Sequence, residues 1–263
     1  MDPRAVGIFD SGVGGLSVLR EFQRLAPHEN VVYFADTAYF PYGPRPMAEV
    51  RKRVFSIVQR LMQANVKMVV VACNTASAAA LAELREAFGP MPFIGMVPGV
   101  KPAALRSPAR NVVILATPGT LDGELYQRVV DQFGRGVRVR SVPADGLAEM
   151  IEAGTVSPEE VSERLRATLS SAVGAGADTV VLGCTHYSFI KDGLTEAFPE
   201  LTIIDTSEAV AARAVDVLRE EGLAAPDESA GTLDLIVTLN PDRFRERMAS
   251  LGFSPQPWRE PAL

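Results

Sequence analysis

Two segments of the chain repeat one pattern: VVVACNTAS from Val69 to Ser77, and VVLGCTHYS from Val180 to Ser188. The only two cysteines, Cys73 and Cys184, occupy the same place in both. In each, an apolar β-branched run leads to a small residue, the cysteine and a polar pair, so each thiol is expected where a buried strand gives way to a helix. A free cysteine taken singly reads as a small buried hydrophobe. Matched settings argue instead for chemistry that needs two equivalent groups. A thiol at a helix N-terminus faces unpaired backbone N–H groups and the positive end of the helix dipole, which predicts a pKa below about 8.5 and a base available near neutral pH.

The elements that must hold these thiols follow from the apolar runs. Strands are expected at Val6 to Phe9, Val31 to Ala35, Met68 to Ala72, Phe93 to Met96, Val112 to Ala116, Val137 to Val142, Thr179 to Leu182 and Leu201 to Ile204. Helix-length stretches separate them. The helix from Ala76 to Phe88 has the clearest stop, because Gly89 and Pro90 follow it. Such alternation predicts an α/β fold of two similar open parallel-sheet domains with the active site in the cleft between them. The turn-rich segment Val97 to Pro108 and a second boundary near Asp205 divide the chain into residues 1–97 plus 208–263, holding the first cysteine, and residues 98–207, holding the second. Each cysteine then ends a strand at its carboxyl side, where open parallel sheets place their ligands.

Composition bounds the function classes. With 263 residues and 47% hydrophobic content the chain can build sizeable cores. MDPRAVGIFD has no basic region followed by a long apolar one, and no apolar run approaches the roughly 18 residues of a membrane span, so neither secretion nor a membrane partner is expected. Two cysteines are too few for a disulfide framework, which points to a reducing cytoplasm. Net charge is −6, with no basic stripe laced with aromatics, and this argues against nucleic acid. Arg51 to Arg53 reads as a solvated helix face, and His28 in APHEN as a surface residue.

Other chemistries compete for the same residues. Asp10 closes the first strand and is followed by SGVGGL, whose glycines would expose N–H groups as an anion cradle at a helix start. Gly12 and Gly14 have dinucleotide-site spacing, and Asp36 ends the second strand about where a ribose-binding acid belongs. Against this, Ser17 holds the third glycine position, and Asp10 puts a carboxylate where a pyrophosphate would sit. Cys73, Cys184, His186 and Asp10 could supply a zinc set, but they lack the usual close pair of cysteines.

DSGVGGLSVL at Asp10 to Leu19, FPYG at Phe40 to Gly43, ACNTAS at Ala72 to Ser77 and GCTHY at Gly183 to Tyr187 together resemble the glutamate racemases of the aspartate/glutamate racemase superfamily. The four motifs match in order and spacing and include both cysteines. The resemblance implies a cytoplasmic, homodimeric enzyme that needs no pyridoxal or other cofactor and acts on the small molecule glutamate, supplying D-glutamate for peptidoglycan. Enantiomers have equal free energy, so two bases on opposite faces of Cα let one remove a proton while the other returns one.

By the same resemblance Cys73 serves the D-enantiomer and Cys184 the L-enantiomer. Asp10 assists beside Cys73, His186 beside Cys184, and Glu152 beside His186. Few lysines or arginines flank the motifs, so the substrate's carboxylates are expected on backbone N–H groups and neutral side chains. Ser11, Asn74, Thr75 and Thr185 fit that role by family position, and Thr117 and Thr120 of ATPGT read either as further anion contacts or as helix caps. Tyr42 and Gly43 would close over the side chain, and Asp10 or His186 would meet the ammonium. The chain departs from the family at Ser188 and Phe189, where a proline and an aliphatic residue are usual. That change bears on substrate geometry or a subunit surface more than on proton transfer.

Overall fold

The computed structural model describes residues 1–154, 157–226 and 230–253. The end of the segment expected to return to the first domain, residues 254–263, lies outside them. Among the described residues the chain forms two parallel-sheet domains, the α/β class read from the sequence. The first sheet contains β1 (Val6–Asp10), β2 (Val31–Ala35), β3 (Met68–Val71) and β4 (Phe93–Gly95). The second contains β5 (Asn111–Ala116), β6 (Arg138–Pro143), β7 (Thr179–Gly183) and β8 (Thr202–Ile204). One strand escaped the sequence reading: β9 (Leu233–Val237), which pairs in parallel with β2 at the edge of the first sheet. Only Leu233 and Leu235 of its five residues are fully buried, so LDLIV lacks the continuous apolar run that marks the central strands.

The orders β4-β3-β1-β2-β9 and β6-β5-β7-β8 share one plan, each domain's first four strands standing 2-1-3-4 in chain order. In this order the chain reverses direction across the sheet between its first and third strands, and the crevice beyond their carboxyl ends is the natural ligand position. Asp10 and Cys73 flank that crevice in one domain, with Thr117 and Cys184 in the other. Strand alternation fixes which way each thiol faces. Val69, Val71 and Cys73 belong to one core cluster and Met68, Val70 and Ala72 to the opposite one. Val180, Leu182 and Cys184 likewise share a face that Val181 does not. Helices cover both faces of each sheet, which is why β1, β2, β3, β5 and β7 are buried throughout.

The loop after β2 is anchored by Asp36, which is fully buried. Its carboxylate accepts from the Tyr42 hydroxyl at 2.6 Å, Arg53 Nε at 2.7 Å and Thr238 Oγ1 at 3.1 Å. The acid that could have held a ribose is therefore spent on the FPYG turn. Arg53→Met leaves that carboxylate buried without its charge partner. Stability is expected to fall by about 3 kcal/mol, the low end for a broken buried pair because the guanidinium is partly exposed. Urea denaturation followed by circular dichroism measures the loss, and an unchanged midpoint would remove Asp36 as the anchor.

Candidate active site

Cys73 and Cys184 have nearly the same backbone, φ −144° and ψ 121° against φ −143° and ψ 136°. Each is the N-cap of the helical segment that follows. After Cys73 this is the α-helix Asn74–Ala87; after Cys184 it is a 3-10 helix, Thr185–Ile190, and the α-helix Lys191–Ala197 begins only beyond it. Both thiols are free and buried. They line one cavity of about 20 Å³ together with Ser11, Asn74, Thr75, Thr117, Thr185 and His186, and with Tyr42 and Gly43 of the FPYG turn.

Cys184 faces a relay. Its sulfur lies 3.8 Å from His186 Nδ1, and His186 Nε2 lies 2.7 Å from Glu152 Oε2. The same carboxylate oxygen accepts from the backbone N–H of Val13 in the first domain at 2.8 Å. Burial pulls the His186 pKa down, yet its contacts with Cys184 and Glu152 overcome this and hold it well above the ordinary histidine value. Among the described residues no group of three or more His, Cys, Asp or Glu side chains is placed to hold a metal ion. Phe40, quoted in the FPYG motif without an assigned role, packs its ring 5.3 Å from the imidazole. Its signal in the sequence was only its place beside a tyrosine and a proline.

Cys73 stands against Asp10 instead. Asp10 is wholly buried; its Oδ2 accepts from Gly15 N at 2.6 Å and lies 3.4 Å from Thr185 Oγ1. Burial raises the Asp10 pKa, while the His186 charge and N–H groups of Ser11 and Gly15 oppose the rise. The expected lowering of the thiol pKa fails for Cys73. Burial and the Asp10 charge push it well above its ordinary range, and the N–H of Ala76 at the helix start recovers only part of that. A helix terminus favours an anion through its dipole by about 1 kcal/mol, less than the desolvation of a fully buried sulfur.

The glycines after Asp10 serve domain contact more than anion cradling. A Cβ on Gly12 would lie 2.4 Å from Glu152 Oε2, and one on Gly14 would lie 2.3 Å from Thr185 Oγ1 and 2.4 Å from His186 Nδ1. Other expected contacts differ in availability. Thr75, Thr117 and Thr120 form a closed set of hydroxyls, 3.0 to 3.3 Å apart. Tyr42 lines the cavity with its ring, its hydroxyl being committed to Asp36. Asn74 is buried with neither amide atom hydrogen-bonded. Ser188 lies at the domain seam: its Oγ is 3.2 Å from Ser207 Oγ, which donates to Ser17 Oγ at 3.0 Å. Phe189 packs on the first domain's core.

Iodoacetamide alkylation of Cys73, followed against pH peptide by peptide, is expected to have its midpoint above about 8.5, the ordinary thiol value. Asp10→Asn removes the anion that raises this thiol, so its midpoint moves down. A midpoint that stays in place excludes the Asp10 charge as a cause.

Known proteins share this fold. A glutamate racemase from a Roseiflexus species is 44% identical over 92% of this chain and 89% of its own length. The crystal structure of a glutamate racemase isoform from Bacillus anthracis matches with a TM-score of 0.89 at 30% identity, covering 98% of this chain and 97% of that one. A glutamate racemase from Francisella tularensis, solved in complex with D-glutamate, matches with a TM-score of 0.86 at 28% identity over the same shares. Residues 12–214 match the Asp/Glu/Hydantoin racemase family, and on this match and these relatives the chain belongs to that family.

Proposed function

We propose that the chain interconverts L- and D-glutamate by a two-base mechanism in which Cys73 and Cys184 exchange a proton with opposite faces of Cα. The observation that carries this reading is the pair of thiols in matching backbone settings on one cavity, contributed by two domains of the same strand order. Glutamate as the substrate rests on the relatives, among them one solved with D-glutamate.

The two sides of the site are prepared differently. His186, held protonated by its partners, puts positive charge beside the Cys184 sulfur. Burial and Asp10 keep Cys73 a thiol. In the direction from L-glutamate, Cys184 as thiolate takes the Cα proton, and the Cys73 thiol delivers its own to the opposite face. Running from D-glutamate requires the reverse protonation. Asn74, with its buried amide unpartnered, is suited to a substrate carboxylate, since an unsatisfied buried amide is costly unless a ligand completes it. Among the described residues no lysine or arginine lines the cavity, so the carboxylates are met by neutral donors.

A cavity of about 20 Å³ holds little more than a water molecule, so the domains must part to admit glutamate. Parting breaks the Val13–Glu152 bond and the bond from Gly119 N to Gly43 O, and closing remakes them around the substrate. Two free thiols agree with a reducing cytoplasm. A homodimer and a role in peptidoglycan supply come with the family.

The test is incubation with L-glutamate in D2O without added cofactor, followed by circular dichroism and by loss of the Cα proton signal. Ellipticity is expected to decay to zero as deuterium enters; L-aspartate in a parallel arm is expected to remain unchanged. Cys73→Ser and Cys184→Ser are each expected to lower turnover by at least about a hundredfold, the scale of a lost general base. Asn74→Ala is expected to raise KM. Near-native turnover in either serine variant would falsify the two-base proposal.

A further inference from the structure

Arg247 joins the two domains behind Glu152. Its helix, Pro241–Ser250, buries Phe244 and Met248 in the first domain's core. The helix carrying Glu152, Leu147–Ala153, packs Leu147 and Ile151 into the second. Across the seam, Arg247 Nε and Nη2 both donate to the carbonyl of Ile151, at 3.1 and 2.7 Å. Carbonyls in the last turn of a helix have no helical N–H to accept from, and a cation there also meets the negative end of the dipole. The path is kept open by Gly154, which sits at φ +66° and whose Cβ would lie 2.7 Å from Arg247 Cζ. Burial lowers the Arg247 pKa, and the Glu152 charge opposes this, so the two groups interact.

We infer that Arg247 is a positioning residue for the Cys184 side of the site: by capping the helix that carries Glu152, it holds that carboxylate against His186. The inference rests on the two-base reading given above. Its distinguishing consequence is asymmetry. Arg247 has no contact with Cys73 or Asp10 among its hydrogen bonds, which run to Ile151 and, through Nη1, to Ser250. Losing it therefore impairs proton transfer at Cys184 and leaves the Cys73 step alone.

Arg247→Met is expected to lower kcat/KM roughly tenfold or more, as a misaligned group does, and equally in both directions because the enantiomers have equal free energy. The isotope effects should separate. With α-deuterated L-glutamate, whose label Cys184 removes, the primary effect on kcat/KM rises. With α-deuterated D-glutamate, whose label Cys73 removes, it falls, because the slow step then follows label removal. Arg247→Lys, which keeps a cation at the helix end, should recover much of the rate. Slowing that leaves both isotope effects unchanged means a merely structural role and overturns the inference.

A readout independent of turnover completes the test. The chain has two histidines, so the His186 ring can be followed by NMR with exposed His28 as the control. In Arg247→Met the titration of His186 should fall toward its ordinary value of 6.5 as Glu152 loosens. If it does not move, Arg247 does not position the relay. Should the native chain fail to racemise glutamate, the proposed function fails, and the His186 titration still decides the role of Arg247.

Discussion

The site depends on how closely two separately folded sheets approach each other at the turn after β1. Gly12 and Gly14 have no side chains to keep the second domain away, and even one carbon on either would stand well inside contact distance of Glu152, Thr185 or His186. That approach brings the Val13 N–H to Glu152 and Asp10 within reach of Thr185. Without it, Cys73 would face one half-site and Cys184 another. The duplicated 2-1-3-4 strand order supplies two equivalent thiol positions, and the glycine turn makes them one cavity.

Burial then makes equivalent thiols electrostatically unlike. Both cysteines stand at the N-cap positions of helical segments with similar dihedral angles, yet one has a carboxyl group for its neighbour and the other an imidazole. In a low-dielectric pocket the neighbour's charge outweighs the helix terminus, because little water screens it. An anion beside Cys73 favours its thiol, whereas the Cys184 sulfur has for its neighbour an imidazole whose pKa is raised. The two side chains that set this difference, Asp10 and His186, are themselves coupled, since the His186 charge opposes the burial-driven rise of the Asp10 pKa.

Much of this was legible in the sequence because buried parallel strands read as apolar runs whatever their surroundings. Eight strands were placed within a residue or two of their observed ends. β9 was not, because half-buried edge residues leave no such run. Local residue types also suggested a low thiol pKa at both helix starts, an expectation that fails for Cys73 because of a desolvation that only the closed cavity reveals. Gly12 and Gly14 were noticed for their spacing, but their reason is a partner more than 130 residues away in the chain. Arg247 carried no signal at all. Its role follows from an unpaired carbonyl on another domain, and no window of sequence contains both groups.

An asymmetric site is no obstacle to a symmetric reaction. For enantiomers of equal free energy the equilibrium constant is unity, so kcat/KM must be the same in both directions whatever the protein does to its thiols. The unlike neighbours of Cys73 and Cys184 act elsewhere. They set which protonation form the free enzyme rests in, and hence how kcat and KM divide for each enantiomer. Under the two-base proposal, a form with Cys73 as the thiol is the one that serves L-glutamate, and it must first exchange its protons to serve D-glutamate. Burial and the Asp10 charge keep Cys73 protonated in a dry cavity. The asymmetry follows from placing a base and an acid in the same small space with little water to assist either.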